Sequence, residues 1–279
     1  ARVLFELDQL AKRLGHPPQR RLDRLAQHPA LVEHRDDLSL EYVTLLNVLG
    51  DHQQALKYVL ARKFHPWEGG EGKVPAQYTL CLTQLARKSI AACDLDAALD
   101  WLQRAGDWPH SLGEGKLPNH QDNNVRYWQG VALSKLGRDA EAREAFERAA
   151  QGISQPSDPM YYNDQPPDMI FYQGQALKSL QRHEAAMTRF QSLIDYGEAH
   201  LADEPEIDFF AVSLPDFLVF EENLQQRNEM HCRYMIALGL SGQNRLDEAT
   251  TQFDQILAID PSFLGAAIHH PRSGAEEQV

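Results

Sequence analysis

The chain repeats itself, and the repeat limits what it can fold into. In GVALSKLGRDAEAREAFERA, residues 130–149, small residues stand at Gly130, Gly137, Ala142 and Ala149, with large ones between them at Leu133 and Phe146. Stepping back 44 residues from Ala142 reaches Ala98, followed by Leu102 and Ala105; a further 43 reaches Ala55. Stepping forward 44 reaches Ala186, with Gly174 before it and Phe190 after it. A fifth copy, NRLDEATTQFDQILAIDP, carries Ala249, Phe253 and Pro261. Five copies in one register mean five copies of one supersecondary unit, none able to bury its apolar face alone.

The order small, large, turn, small, large, small suits two antiparallel helices that approach closely at Gly130 and Ala142, with Leu133 and Phe146 filling the space on either side. This pattern resembles the tetratricopeptide repeat (TPR), whose positions 8, 11, 20, 24 and 27 ask for such residues. The resemblance covers roughly residues 38 to 261. It implies an all-α, right-handed TPR-type α-solenoid of about six helical hairpins with long inter-repeat inserts.

Composition narrows the function. The 279 residues carry a formal charge of −13, which leaves little to neutralise phosphates, so neither nucleic acid nor an anionic membrane is an expected partner. The basic pairs Lys12-Arg13 and Arg20-Arg21 are small and flanked by acids. No run of 18 apolar residues is long enough to span a bilayer. Cys81, Cys93 and Cys232 fall in expected helices without metal spacing, which reads as reduced structural thiols and a cytoplasmic setting. The chain begins at Ala1 rather than Met, and we expect a fragment of something larger or a processed terminus.

Along the chain, residues 3–14 have helical apolar spacing ending at Gly15, and Pro17-Pro18 opens a second helix. We expect three segments: 1–37 as a degenerate N-terminal cap hairpin, 38–267 as five repeats with inserts, and 268–279 as a frayed polar tail. A plain TPR has a period of 34 residues. The surplus of about ten here falls between the second helix of one repeat and the first of the next, so the inserts should emerge on one edge. Long structureless connections are usually functional or docked.

The inserts hold the candidate binding residues. Gly70-Glu71-Gly72-Lys73 and Gly113-Glu114-Gly115-Lys116 share the string GEGK, 43 residues apart, each preceded by a tryptophan, Trp67 (beside Glu68) or Trp108. The string lacks the spacing of a phosphate-binding P-loop. It reads either as a cap on the next helix, with Trp and the Lys116 or Lys73 stem tucked onto a neighbouring repeat, or as part of a recognition surface. A third insert carries Tyr161, Tyr162, Asn163, Asp164 and Asp168, rings beside amide and carboxylate groups that suit a sugar or a peptide; alternatively Asp168 simply starts the next helix. The fourth, residues 201–222, interleaves acids such as Asp208 and Asp216 with Phe209, Phe210 and further large apolar residues, which must pack on the solenoid or on a partner. Insert carboxylates could serve a hydrolase if a pair stood about 5 to 10 Å apart, but no nucleophile motif stands out. His269-His270 has no third ligand at metal spacing. No cofactor and no metal is expected.

The strings FHPWEGGEGKV, YYNDQPPD and DFFAVSLPDFLVF, with HPALVEHRDDL near the start, resemble the C-terminal TPR region of large bacterial proteins that have an N-terminal β-rich domain of uncharacterised function. That resemblance implies a partner within the parent chain. Two functions follow as expectations. The first is a non-enzymatic scaffold that binds a protein, a peptide or an upstream domain through its solenoid surface and insert edge. The second is the helical half of a carbohydrate-active enzyme, in which Trp67, Trp108, Tyr161 and Tyr162 converge on one cleft.

Overall fold

The computed structural model describes residues 1–67, 69–118, 120–157, 166–204 and 223–271. Fourteen α-helices and one 3-10 turn, and no strand, occur among them. Six hairpins follow one another: α1 (Arg2–Arg13) with α2 (Pro18–Ala26), then, after a short α3 (Pro29–Glu33), α4 (Asp36–Val48) with α5 (His52–Leu60), α6 (Lys73–Ala91) with α7 (Leu95–Gly106), α8 (Asn123–Lys135) with α9 (Asp139–Ala149), α10 (Pro167–Ser179) with α11 (His183–His200), and α12 (Leu224–Gly242) with α13 (Leu246–Ile259). A last short helix, α14 (Leu264–His269), follows the final hairpin. The molecule is an all-α solenoid. None of the described helices is long and apolar enough to cross a membrane.

Each hairpin turns the same way. Gly15, Gly50, Cys93, Gly137, Gln181 and Asn244 all adopt left-handed φ values between 59° and 81°. The residue after each donates its N–H five positions back, as in Asp94 to Ser89 and Arg138 to Leu133, which closes the end of the first helix. Cys93 is therefore not helical, against the sequence expectation; it is an exposed turn residue, while Cys81 and Cys232 are buried. Inside the hairpin the helices meet at Gly130, where an added Cβ would lie 2.5 Å from the Phe146 ring. Phe190 lies on Gly174 in the same way. The aromatic thus sits on the glycine rather than beside it.

First helices of successive hairpins pack on one another in series, α4 on α6, α6 on α8, α8 on α10 and α10 on α12, and each also lies against the helix that precedes it. The second helices make no comparable contact with each other among the described residues. A stack held close in one layer and splayed in the other curves toward the close layer, so the first helices line the inside.

The curvature brings the ends together. α14 packs against α13 and α12 and also against α4, the first helix of the first clear repeat. Arg21 on α2 is fully buried and donates to Ser262, 241 positions later, at 3.0 Å. The same guanidinium pairs with Asp8 on α1 at 2.6 Å and with Glu41 on α4. Lys12 reaches Asp260 at 3.9 Å. Burial raises the Asp8 carboxyl above its ordinary value against the pull of Arg21. Burial also acts to raise Glu41, but Lys12 and Arg21 outweigh it and hold that carboxyl low.

Candidate functional site

The insert residues picked from sequence divide into two groups. Glu68, Tyr161, Tyr162, Asn163, Asp164, Asp208, Phe209, Phe210 and Asp216 lie outside the described residues. The remaining seven are Trp67, Glu71, Lys73, Trp108, Glu114, Lys116 and Asp168. Trp67 and Trp108 are half-buried and pack against the apolar core built from α4 to α8. The Trp67 ring lies directly on Gly70 of its own loop. Trp108 stacks edge-on to His120, with ring centroids 4.7 Å apart. These tryptophans anchor their loops inward on the core.

The GEGK strings are staples. Glu114 of the second accepts the Gly72 N–H of the first at 2.8 Å, so one copy caps the start of α6 through the other. Phe64 donates to the Ser111 carbonyl at 2.8 Å alongside. Burial raises the Glu114 carboxyl, the Gly72 N–H lowers it, and Glu71 raises it. Lys116 donates to the Gly106 carbonyl at the end of α7 and to Asp122 at the start of α8, both at 3.1 Å, tying the two helices across the insert. Lys73 is the first residue of α6. Glu71 is exposed. Buried amides continue the stapling in a way the sequence reading missed. Asn123 donates to the Ala149 and Gln151 carbonyls, each at 2.7 Å, and Gln173 donates to Gln151 and Ile153.

Asp168 is the exception. It stands in the first turn of α10, and its carboxyl is pushed up to about 6 by burial, although its own N–H and that of Met169 pull it down. Its charge is felt by Tyr234 on α12, whose hydroxyl is held well above its usual value by burial, Asp168 and Tyr172. Asp168, half-buried, therefore stands within electrostatic reach of Tyr234.

The structure has a cavity of about 190 Å³, lined by Arg87 of α6, Tyr127 and Trp128 of α8, Phe171, Tyr172 and Gln175 of α10, and residues 268–271. The side chains arrive from three successive first helices, so the fold itself converges them. Arg87 lies over the Trp128 ring at 5.0 Å. The rings continue from Trp128 to Tyr127 at 5.1 Å, Tyr127 to Tyr172 at 5.6 Å, and Tyr172 to Phe171 at 5.4 Å. Burial pushes the Tyr127 hydroxyl up to about 12, so that tyrosine is neutral. No acidic side chain lines the cavity among the described residues.

His269 closes the fourth side. Its Nε2 is 3.2 Å from the Tyr172 hydroxyl, and its Nδ1 is 3.0 Å from both the Tyr234 hydroxyl and the Gly265 carbonyl. Burial and then the Arg87 charge hold it down to about 4, so it is neutral. A neutral imidazole that donates from Nδ1 to Gly265 leaves Nε2 to accept from Tyr172. His270 pairs with Asp254 at 3.1 Å. Residues 268–271 are thus packed, against the expectation of a tail frayed from 268 onward; 272–279 lie outside the described residues. No group of three metal-ligating side chains occurs among the described residues. Sequence reading missed this site because Arg87, Trp128 and Tyr172 sit at ordinary helix positions, and nothing local marks them as neighbours.

Two comparisons bear on these elements. Residues 125–151, the α8–α9 hairpin, match the family model described as "Tetratricopeptide repeat". The solved crystal structure of YrrB, described as "a TPR protein with an unusual peptide-binding site", aligns at 12% identity over 87% of this chain and 95% of that one, with a TM-score of 0.31. The chain is thus an all-α solenoid in which the hairpin carrying Tyr127 and Trp128 matches the tetratricopeptide repeat.

Proposed function

We propose that this chain is a non-enzymatic scaffold that holds a polypeptide segment of a partner along its inner face. The observation that carries the reading is the convergence of Arg87, Tyr127, Trp128, Tyr172 and Gln175 around one open cavity. Tyrosine, tryptophan and arginine dominate binding energy at protein interfaces. Each presents a broad, stiff surface with a polar edge, which suits main-chain amides and side chains together. The cavity holds a side chain of the segment, and the first helices on either side hold its flanks. The segment belongs to another protein or to another domain of the parent chain. The insert edge plays a smaller part, because its GEGK loops are engaged with each other.

Display selection of peptides against the chain, followed by calorimetric titration, tests this. Peptides selected on the wild type should lose about tenfold or more in affinity on Trp128→Ala, since a truncated interface aromatic costs on the order of 2 kcal/mol or more. Gln175→Glu, which introduces an acid at the cavity wall without opening the core, should weaken them as well. Peptides that bind both variants as tightly as the wild type would place the interface elsewhere and overturn the reading.

A further inference from the structure

Helix α1 carries two apolar faces, and among the described residues only one of them is covered. Leu4, Asp8 and Ala11 are buried in the N-terminal hairpin. Val3, Leu7, Leu10 and Leu14 are 76%, 45%, 39% and 65% exposed. Their spacing of four, three and four residues places Val3, Leu7 and Leu10 of α1, continued by Leu14 at its C-terminal cap, within an arc of about 60° at 3.6 residues per turn. That is the narrow stripe of a coiled-coil seam, not the broad face of a helix buried in a globule. Scattered exposed apolar residues need no explanation, but four in one seam do.

Each first helix from α4 onward lies against the helix that precedes it. Among the described residues α1 packs chiefly on α2, and no other described element covers the stripe.

We propose that α1 pairs antiparallel with α1 of a second copy of this chain about a two-fold axis. In that register Val3 of one copy faces Leu14 of the other, and Leu7 faces Leu10. The pairing is self-complementary in charge as well. Glu6 and Arg13 flank the seam on the same side, one heptad apart, and the two-fold sets Glu6 of each copy beside Arg13 of the other. Flanking charges of this kind choose partner and orientation in coiled coils. A two-fold contact uses the same patch on both copies, as this one does.

The seam also sets the strength. Its four layers span about 17 Å at 1.5 Å per residue. A single-helix contact that short falls below the standard stable interface of roughly 800 Å² per partner, so the dimer is weak. The charge of −13 on each copy opposes association at low salt and is screened near physiological ionic strength.

Sedimentation equilibrium at about 0.15 M salt reads the outcome directly. The weight-average mass should rise from 31.6 kDa toward twice that value as the chain is concentrated from the low micromolar to the millimolar range. Leu7→Glu with Leu14→Glu should hold the chain at the monomer mass throughout, with an unchanged circular dichroism spectrum and melting midpoint, because both sites are exposed. Glu6→Arg should weaken the dimer, and Glu6→Arg combined with Arg13→Glu should restore it. A monomer at every concentration overturns the proposal and leaves the stripe to a helix of another protein or of the parent chain. A dimer indifferent to the two leucine changes overturns it by placing the contact elsewhere. Failure of the double charge exchange to restore the dimer overturns the antiparallel register.

Discussion

Two kinds of residue set the hairpins, and they differed in how plainly the sequence showed them. The small-and-aromatic pair at the crossing was legible, because Gly130 and Phe146 recur as Gly174 and Phe190 at fixed spacing. Gly130→Ala should cost about 1–3 kcal/mol, since its Cβ would fall 2.5 Å from the Phe146 ring in a packed crossing. Urea denaturation would show this as a lower midpoint with an unchanged slope. The turn residues were less legible, because three of the six are not glycine. Cys93, Gln181 and Asn244 take φ values of 59°, 61° and 64° only because the hairpin register leaves no alternative. For a side chain the left-handed region costs about 1–2 kcal/mol, least for asparagine. Glycine avoids that cost at the expense of a more flexible unfolded chain. Gln181→Gly should therefore stabilise the chain by about 0.5–1 kcal/mol, again read from the denaturation midpoint. A loss of stability would mean that the Gln181 side chain contributes more than its backbone strain costs.

At the scale of elements, the inserts and α14 departed furthest from expectation. Sequence alone left the GEGK strings open between caps and a recognition surface, since the partner of each loop is the other loop, and a local pattern does not show which of two glutamates reaches which N–H. Their geometry supports the first option, through the Glu114–Gly72 bond and the Lys116 contacts. The end of α14, from residue 268, read as the start of a polar tail. Its docking depends on Tyr172 and Tyr234, 97 and 35 positions away. The docking has a pH signature. His269 is held down to about 4 from an ordinary 6.5, by burial first and Arg87 second. Its neutral form is the one that fits, so its contribution is intact above about 6.5 and is lost as the pH falls toward about 4. Over that window the unfolded chain binds a proton that the folded chain refuses. Relative to His269→Gln, the wild type should lose melting midpoint between pH 6.5 and 4, and the two curves should run parallel above pH 7. His52, also held down to about 4 by burial and then by Lys88 and Arg87, adds the same trend to both proteins and cancels in the difference. Parallel curves throughout would show that the imidazole is not buried as placed.

The whole molecule is a curved stack whose ends meet, and this level was the least visible in sequence. A repeat pattern specifies neighbour-on-neighbour packing; it carries no information on whether the accumulated rotation brings α2 to residues 260–262. Arg21, which read as half of a small basic pair, is the buried centre of that junction, joined to Asp8, Glu41 and Ser262. Arg21→Met would leave Asp8 buried without its counter-charge and should cost about 3–5 kcal/mol, more than any surface ion pair here. Small-angle scattering of that variant should show a larger radius of gyration if the junction holds the curve closed. The closed curve also gives the inner face its shape, since it sets residues 268–271 against Arg87, Trp128 and Tyr172. The most direct test of an inner-face scaffold is hydrogen exchange of the chain with and without a display-selected peptide, read amide by amide. The account predicts slowed exchange along α6, α8 and α10, on the turns that flank the cavity, with α5, α7 and α9 unchanged. Protection confined to those second helices or to residues 61–72 and 107–122 would contradict it.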